Sequence, residues 1–360
     1  MTSEAVASVE PTAMERAWAE LAPPRWVDSA RAIYELLPFQ RYRQLPFVDL
    51  PYDPRREEHW ADAARIADFA SWLPVPEAAR GATVLDLGPG DGWPSIPLAA
   101  ARPDALVIGL EPSPRRTRVC EENARRLEVR NARFVTGDAT AVPLANASVD
   151  LVTASYSLEE VADPRAAMRE VLRVLRPGGV FRVAYQRWDL AEPEVESIAL
   201  LEGASGLLYQ YARRVREPSI ERRYTLLVPA DGPAAERHRE ALIASAEVPR
   251  VLGETRLDAG SPLGADLLAS LAPHAITSLA VELRRWTTDE LIADLEGAGF
   301  AEVWGTLHSG ERGRAYGRER IASDEPIALE EFDALSREIG ERAAATDGAG
   351  MVTAARSGPR

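Results

Sequence analysis

The chain has 360 residues, 46% of them hydrophobic, with a single cysteine and a formal net charge of −14. That length suits one core with large additions or two domains; the charge argues against long nucleic acids as partners, and a lone Cys120 excludes an intramolecular disulfide. All 42 basic residues are arginine, so Schiff-base chemistry, a Walker phosphate loop and a Tyr/Lys catalytic pair are closed to this chain, because arginine keeps its proton at working pH.

Residues 1–80 carry no strand signal and are expected to form a helical arm, with helices over Asp28 to Leu37 and Arg55 to Leu73. Pro38, Pro46, Pro51 and Pro54 break the stretch between them, where Phe39, Tyr42, Phe47 and Tyr52 are expected to pack the arm onto the core, with the lining of a substrate pocket as the alternative. From Thr83 to Tyr185 strands alternate with helices, the sequence form of a parallel sheet. Val84, Leu85 and Leu87 read as the first strand, Leu106 to Leu110 as the second, Ala132 to Thr136 as the third, Val149 to Ala154 as the fourth and Val180 to Tyr185 as the fifth. Ser113 with Pro114, and Asp163 with Pro164, are helix-start pairs. Residues 187–280 lose the rhythm among seven prolines and read as an insertion of mixed helical and extended pieces. Alternation returns at Thr287 to Glu290, a capping-box pattern. A sixth strand is expected over Phe300 to Leu307, a Gly/Arg-rich loop over Ser309 to Asp324, then a helix carrying Phe332, Leu335 and Ile339, and a last strand at Gly350 to Ala355.

The first strand runs into Gly88, Gly90 and Gly92, a turn that lets a ligand approach the backbone closely. A dinucleotide fingerprint would place a third glycine where Trp93 stands. Asp86 before the turn and Asp91 within it disfavour an anionic pyrophosphate and suit a ligand with a positive sulfonium. Glu111, at the end of the second strand, is placed to accept from ribose hydroxyls. Asp138, after the third strand, can accept from an adenine amine beside the backbone of Ala139, or simply cap an Asx turn.

These pieces resemble the class I S-adenosylmethionine-dependent methyltransferases, and within them the small-molecule group of the ubiquinone/menaquinone C-methyltransferase type. The matching stretches are Val-Leu-Asp-Leu-Gly-Pro-Gly-Asp-Gly at 84–92, Gly-Leu-Glu at 109–111, Gly-Asp-Ala at 137–139, Ser-Val-Asp-Leu-Val at 148–152 and Glu-Val-Leu-Arg-Val-Leu-Arg-Pro-Gly-Gly at 170–179. Thr288 to Leu307 is similar to that family's last core helix and strand. The resemblance implies an α/β fold, a doubly wound Rossmann-like sheet over 81–186 and 281–360, with 1–80 as a helical cap and 187–280 as a substrate lid. It implies S-adenosylmethionine as cofactor, with Asp86 among the cofactor-binding residues, the three glycines at the methionine part, Glu111 at the ribose, Asp138 and Ala139 at the adenine, and Ser155 opening the loop that faces the transferred methyl. Trp93, where the family has a small residue, and the long insertion before the last strand depart from the pattern.

Methyl transfer rests mainly on alignment and desolvation; where the acceptor must lose a proton, a base has to lie within hydrogen-bond reach. Tyr156, Glu159 and Tyr185 are the candidates at the strand ends, with His59, His274 and His308 from flanking segments. The run Tyr209 to Arg216, with Arg222 and Arg223, would suit an acidic acceptor or internal ion pairs with Glu217 and Glu221. No cluster has metal-ligand spacing. The expected partner is a small-molecule acceptor, with no nucleic acid, no membrane span, a homodimer as a possible assembly and a cytoplasmic location. The alternatives are a nicotinamide-dependent oxidoreductase on a similar sheet and a non-catalytic ligand-binding protein with this fold.

Overall fold

The structure, a computed structural model, describes residues 9–37, 48–74, 81–202, 205–245, 250–251, 254–256, 263–323 and 326–358. Phe39, Tyr42 and Phe47 lie outside them. The chain divides into two compact units: Leu45–Glu159, Asp163–Arg187 and Trp286–Arg360 form one, and Met1–Gln44, Glu160–Ala162 and Trp188–Arg285 the other.

The first unit is built on a seven-stranded sheet. Its strands are β1 (Thr83–Leu87), β2 (Leu106–Glu111), β3 (Ala132–Thr136), β4 (Val149–Ser155), β5 (Leu175–Ala184), β6 (Glu302–Leu307) and β7 (Gly350–Ala355). They run in the order β6-β7-β5-β4-β1-β2-β3. The β1–β2, β2–β3, β1–β4 and β4–β5 pairs are parallel, and β7 alone lies antiparallel to both its neighbours. This is the mainly parallel sheet of a Rossmann-like fold. Its chain order reverses between β1 and β4, the kind of switch point beyond whose carboxyl ends open α/β sheets bind ligands. β1 and β4 are buried almost throughout, as strands covered on both faces are, and their interiors are apolar apart from Asp86 in β1 and Asp150 and Thr153 in β4.

The helices of this unit are α1 (Glu57–Ser71), α2 (Ser95–Ala101), α3 (Pro114–Arg126), α4 (Pro164–Val174), α5 (Thr288–Ala298), α6 (Ser309–Ala322) and α7 (Leu329–Ala344). Three start where the sequence signals place them. The Ser113 side chain accepts from the Arg116 N–H, Asp163 accepts from the Ala166 N–H, and Thr287 with Glu290 makes a complete capping box. Gly299, at φ +107°, ends α5 in the left-handed conformation glycine tolerates.

The stretch Ser309 to Asp324, expected as a loop, is helical from Ser309 to Ala322. Glycine disfavours a helix interior by about 1 kcal/mol per residue, yet here it is what the packing requires. A Cβ at Gly313 or Gly317 would collide with Trp60 of α1, and one at Gly340 of α7 with the Ala64 carbonyl. Close approach to α1 outweighs the propensity.

The second unit is built on a mainly antiparallel sheet, and within 187–280 its strands are joined by the helices Gly232–Ala244 and Ala265–Leu271, the mixed helical and extended content expected there. Its order is Arg25–Trp26, Thr277–Arg284, Ile220–Val228, Leu207–Val215, Glu194–Glu202, Glu254–Arg256 and Arg250–Val251. The Asp28 to Leu37 helix shrinks to Arg31–Tyr34, and Arg25 and Trp26, where no strand was expected, pair as a short parallel strand with Leu279 and Ala280. One face carries Tyr209 and Tyr211, with Tyr224 opposite Tyr211, and Trp18 of the helix Ala13–Leu21 stacks on Tyr209 at 5.4 Å.

Candidate functional site

Gly88, Gly90 and Gly92 all lie in the left-handed region, at φ +68°, +60° and +114°, so each position favours glycine on backbone grounds. At Gly88 a Cβ would also stand 2.7 Å from the Ser157 Cβ, and at Gly92 2.5 Å from Ile96. The Gly88 N–H donates to the Leu110 carbonyl at 2.9 Å, which ties the turn to β2. The Asn123 amide donates to the Asp91 carbonyl at 2.8 Å, and the Cys120 thiol to the Gly90 carbonyl at 3.2 Å.

The four acids of the site have different surroundings. Asp86 is fully buried and accepts from Ser95 Oγ at 2.6 Å and Thr153 Oγ1 at 2.9 Å. It braces β1 to β4 and to the start of α2, and burial pushes its carboxyl up to about 7. Glu111 is also buried. Oε2 accepts from the Gly90 N–H and Oε1 from the Ser113 N–H, both at 3.1 Å, and burial raises it to about 7. Asp91 is buried 3.5 Å from Arg116, and burial raises its carboxyl too. Asp138 is exposed and accepts from its neighbour Thr140, at 2.8 Å from the N–H and 2.7 Å from the hydroxyl; this is the local cap of an Asx turn. Ala139 follows it, partly buried.

Across the switch point, Ser155 ends β4, and its hydroxyl is buried without a hydrogen-bond partner among the described residues. Tyr156 follows at φ +56°, a left-handed conformation rare outside glycine. Its hydroxyl lies 2.7 Å from His308 Nε2. Glu159 is buried and accepts from the Gln186 N–H at 3.1 Å; Tyr185 is buried with its hydroxyl 2.6 Å from Thr288 Oγ1. His59 accepts from the Asp53 N–H at 2.6 Å through Nδ1.

Several contributors were not legible in the sequence. Ser95 and Thr153 occupy both oxygens of Asp86. Arg65 of α1 places its guanidinium 4.1 Å from the Trp93 ring, within cation–π range, and pairs with Asp62 at 3.0 Å. Trp93 is thus held by the arm-side helix. Only the spacing of α1 onto the sheet reveals this.

The arginine run of the second unit is engaged internally. Arg213 pairs with Glu15 and Glu194, both at 2.7 Å, and Arg222 with Glu282 at 2.7 Å. Arg223 and Arg285 both hold Glu221 and Glu160. Among the described residues no group of His, Cys, Asp or Glu is arranged to hold a metal, and no helix is long and apolar enough to cross a membrane.

Residues 85–183 match the family described as a methyltransferase domain. A methyltransferase of Mycobacteroides abscessus, described as uncharacterized, is 37% identical over 31% of this chain and 42% of its own length. A demethylmenaquinone methyltransferase of Renibacterium salmoninarum is 41% identical over 30% of this chain and 42% of its own length. The chain therefore spans less than half the length of these curated relatives. Among solved structures, the CcbJ methyltransferase of Streptomyces caelestis aligns over 92% of this chain and 100% of that one at 16% identity, with a TM-score of 0.47; so distant a likeness adds nothing to the strand order above. With the β6-β7-β5-β4-β1-β2-β3 sheet and the glycine turn at its switch point, residues 85–183 are a class I methyltransferase domain, whose cofactor is S-adenosylmethionine.

Proposed function

We propose that the protein transfers the methyl group of S-adenosylmethionine to a small-molecule acceptor. The observation that carries this reading is Glu111, a buried carboxylate at the end of β2 whose hydrogen bonds come from two backbone N–H groups. Two further features fit the cofactor. The hydroxyl of Ser155 is buried without a hydrogen-bond partner among the described residues, and a Cβ on Gly90 would meet only Arg116 at 3.7 Å, so the turn is open at that position. Gly88, Gly90 and Gly92 would hold the methionine part, Glu111 the ribose hydroxyls, Asp138 and Ala139 the adenine, and Ser155 would face the reacting end. Asp86 acts at one remove, by holding the turn.

When bound, the cofactor supplies a methyl carbon already activated by its positive sulfur. The protein's part is then to align the acceptor and exclude water, and alignment alone supplies effective molarities of ~10⁵ M and more. Of the candidate side chains at the β4 and β5 ends, Tyr156 is exposed and can contact an acceptor, whereas Glu159 and Tyr185 are buried and engaged with the Gln186 N–H and Thr288. Residues 187–280 lie beyond the matched domain, which ends at 183, and this reading gives them the choice of acceptor. A cytoplasmic setting suits a chain with one cysteine, here buried.

The test is radiolabelled methyl transfer from S-adenosylmethionine to a panel of phenols, amines, carboxylates and quinols. Label recovered in a small-molecule product is the expected result. Label recovered only in added RNA, DNA or protein would contradict the acceptor class.

A further inference from the structure

We propose that Tyr156 is a fixed hydrogen-bond donor to an oxygen or nitrogen lone pair of the methyl acceptor, and that His308 is a positioning residue which orients it and takes no proton. The proposal rests on reading the β4 edge as the acceptor side of the methyltransferase site.

The geometry leaves one proton arrangement. His308 sits at the N-cap of α6, where its Nδ1 accepts from the Glu311 N–H at 3.1 Å. A backbone N–H can only donate, so Nδ1 is unprotonated and the ring proton lies on Nε2. Nε2 is the atom 2.7 Å from the Tyr156 hydroxyl, and the two rings stack at 6.2 Å and 24°. The imidazole therefore donates and the Tyr156 oxygen accepts, which leaves the tyrosine's own proton to be given elsewhere. Among the described residues no second side chain receives it.

The surroundings hold this state. His308 is buried, and burial, then the positive charges of Arg65 on α1, Arg182 on β5 and Arg314 on α6, push its pKa down to about 3. Burial raises the Tyr156 pKa; Arg65 and Arg314 act against that, while Glu311 and Glu159 reinforce it. Tyr156 is nevertheless 41% exposed, so its ring meets solvent while its partner does not. Its left-handed backbone is pinned by its own N–H, which donates to the Ala184 carbonyl at 2.8 Å, and by Ser157, whose hydroxyl donates to the Leu87 carbonyl at 2.5 Å. Strain of this kind persists where the surroundings over-determine it, and it clusters at ligand sites.

The experiment is long-range ¹H–¹⁵N spectroscopy of ¹⁵N-histidine-labelled full-length protein, with and without S-adenosylhomocysteine, beside calorimetry of the same ligand. His308 is expected to show the Nε2–H pattern, unchanged from about pH 5.5 to about 8.5. In Tyr156→Phe its Nε2 proton should exchange faster, with S-adenosylhomocysteine affinity altered by less than about twofold. For the first acceptor found to turn over, Tyr156→Phe should raise KM about tenfold with kcat little changed, and kcat/KM should show no break attributable to His308. An Nδ1–H pattern, a His308 titration near its ordinary 6.5, or a collapse of kcat with KM unchanged would overturn the proposal. Failure of the wild type to bind S-adenosylhomocysteine would instead sink the function reading, while the tautomer measurement still decides the His308 assignment.

Discussion

Both units bury a carboxylate against arginine, Glu221 in one and Asp68, 2.6 Å from Arg182, in the other, but Asp86 and Glu111 are held differently. In the antiparallel unit Glu221 is fully buried between arginines: Arg223 at 2.5 Å, Arg285 at 3.0 Å and Arg214 at 3.6 Å. Burial alone would raise its pKa, but Arg223, Arg285 and Arg214 outweigh it and hold the carboxyl at about 2. In the parallel-sheet unit Asp86 and Glu111 have only hydroxyl and N–H donors as hydrogen-bond partners, and both rise to about 7. The difference separates architecture from site. An acid saturated by guanidinium groups has little left for a ligand, whereas an acid held by two weak donors keeps lone pairs and a tunable charge.

The largest expected effect lies on the architectural side. Glu221→Ala should destabilise the protein by about 3–5 kcal/mol, because it leaves buried guanidinium groups uncompensated; a urea midpoint unchanged from the wild type would break the contrast. Gly313→Ala should cost about 1–3 kcal/mol from overpacking α6 against Trp60, read by thermal unfolding, whereas Gly297→Ala, with open space around it, should not destabilise.

On the site side, Glu111→Ala should weaken S-adenosylhomocysteine binding by roughly 1–3 kcal/mol, the range for a lost buried hydrogen-bond partner, with unfolding little affected. Equal affinity in a folded variant would remove Glu111 from the site.

The pH dependence sharpens the contrast, because its two halves have opposite signs. Asp86 has a raised folded pKa, so its contribution is fully present below its ordinary 3.8 and is lost as pH rises through about 7. Glu221 has a depressed one, so its contribution is present above its ordinary 4.5 and is lost as pH falls through about 2. Asp86→Asn should therefore flatten the decline in melting temperature between about pH 4 and about 7 while leaving the acid limb intact. An unaltered decline would contradict the burial of an ionisable Asp86.

Much of this was legible because local signals and tertiary fold agreed. β1 to β5 fall within a few residues of their expected bounds, and the caps at Ser113, Asp163 and Thr287 form as their side chains dictate. Glu111 and Ser155 stand at the strand ends where the spacing put them. What failed depended on partners distant in sequence. The alternation of Tyr209, Tyr211 and Arg213 is a strand face, but a buried Arg213 reads as solvent-facing until Glu15, 198 residues away, is seen to neutralise it. The glycines of α6 read as loop because Trp60 and Ala64, which need their missing side chains, lie on another helix. Asp86 and Asp138 stand beside the strands where the sequence put them, yet their hydrogen bonds go to Ser95, Thr153 and Thr140, partners that the spacing of the glycine turn does not name.

The central claim is that a lone-pair-rich acid at the glycine turn marks an S-adenosylmethionine site. Calorimetric titration of the purified protein with S-adenosylmethionine, S-adenosylhomocysteine and NAD⁺ in parallel, at about pH 6 and about pH 8, tests it most directly. The account predicts saturable binding of the first two and not the third, tighter at the higher pH as Glu111 ionises, with that pH dependence absent in Glu111→Gln. Binding of NAD⁺ alone, or silence from all three in a folded sample, would contradict it.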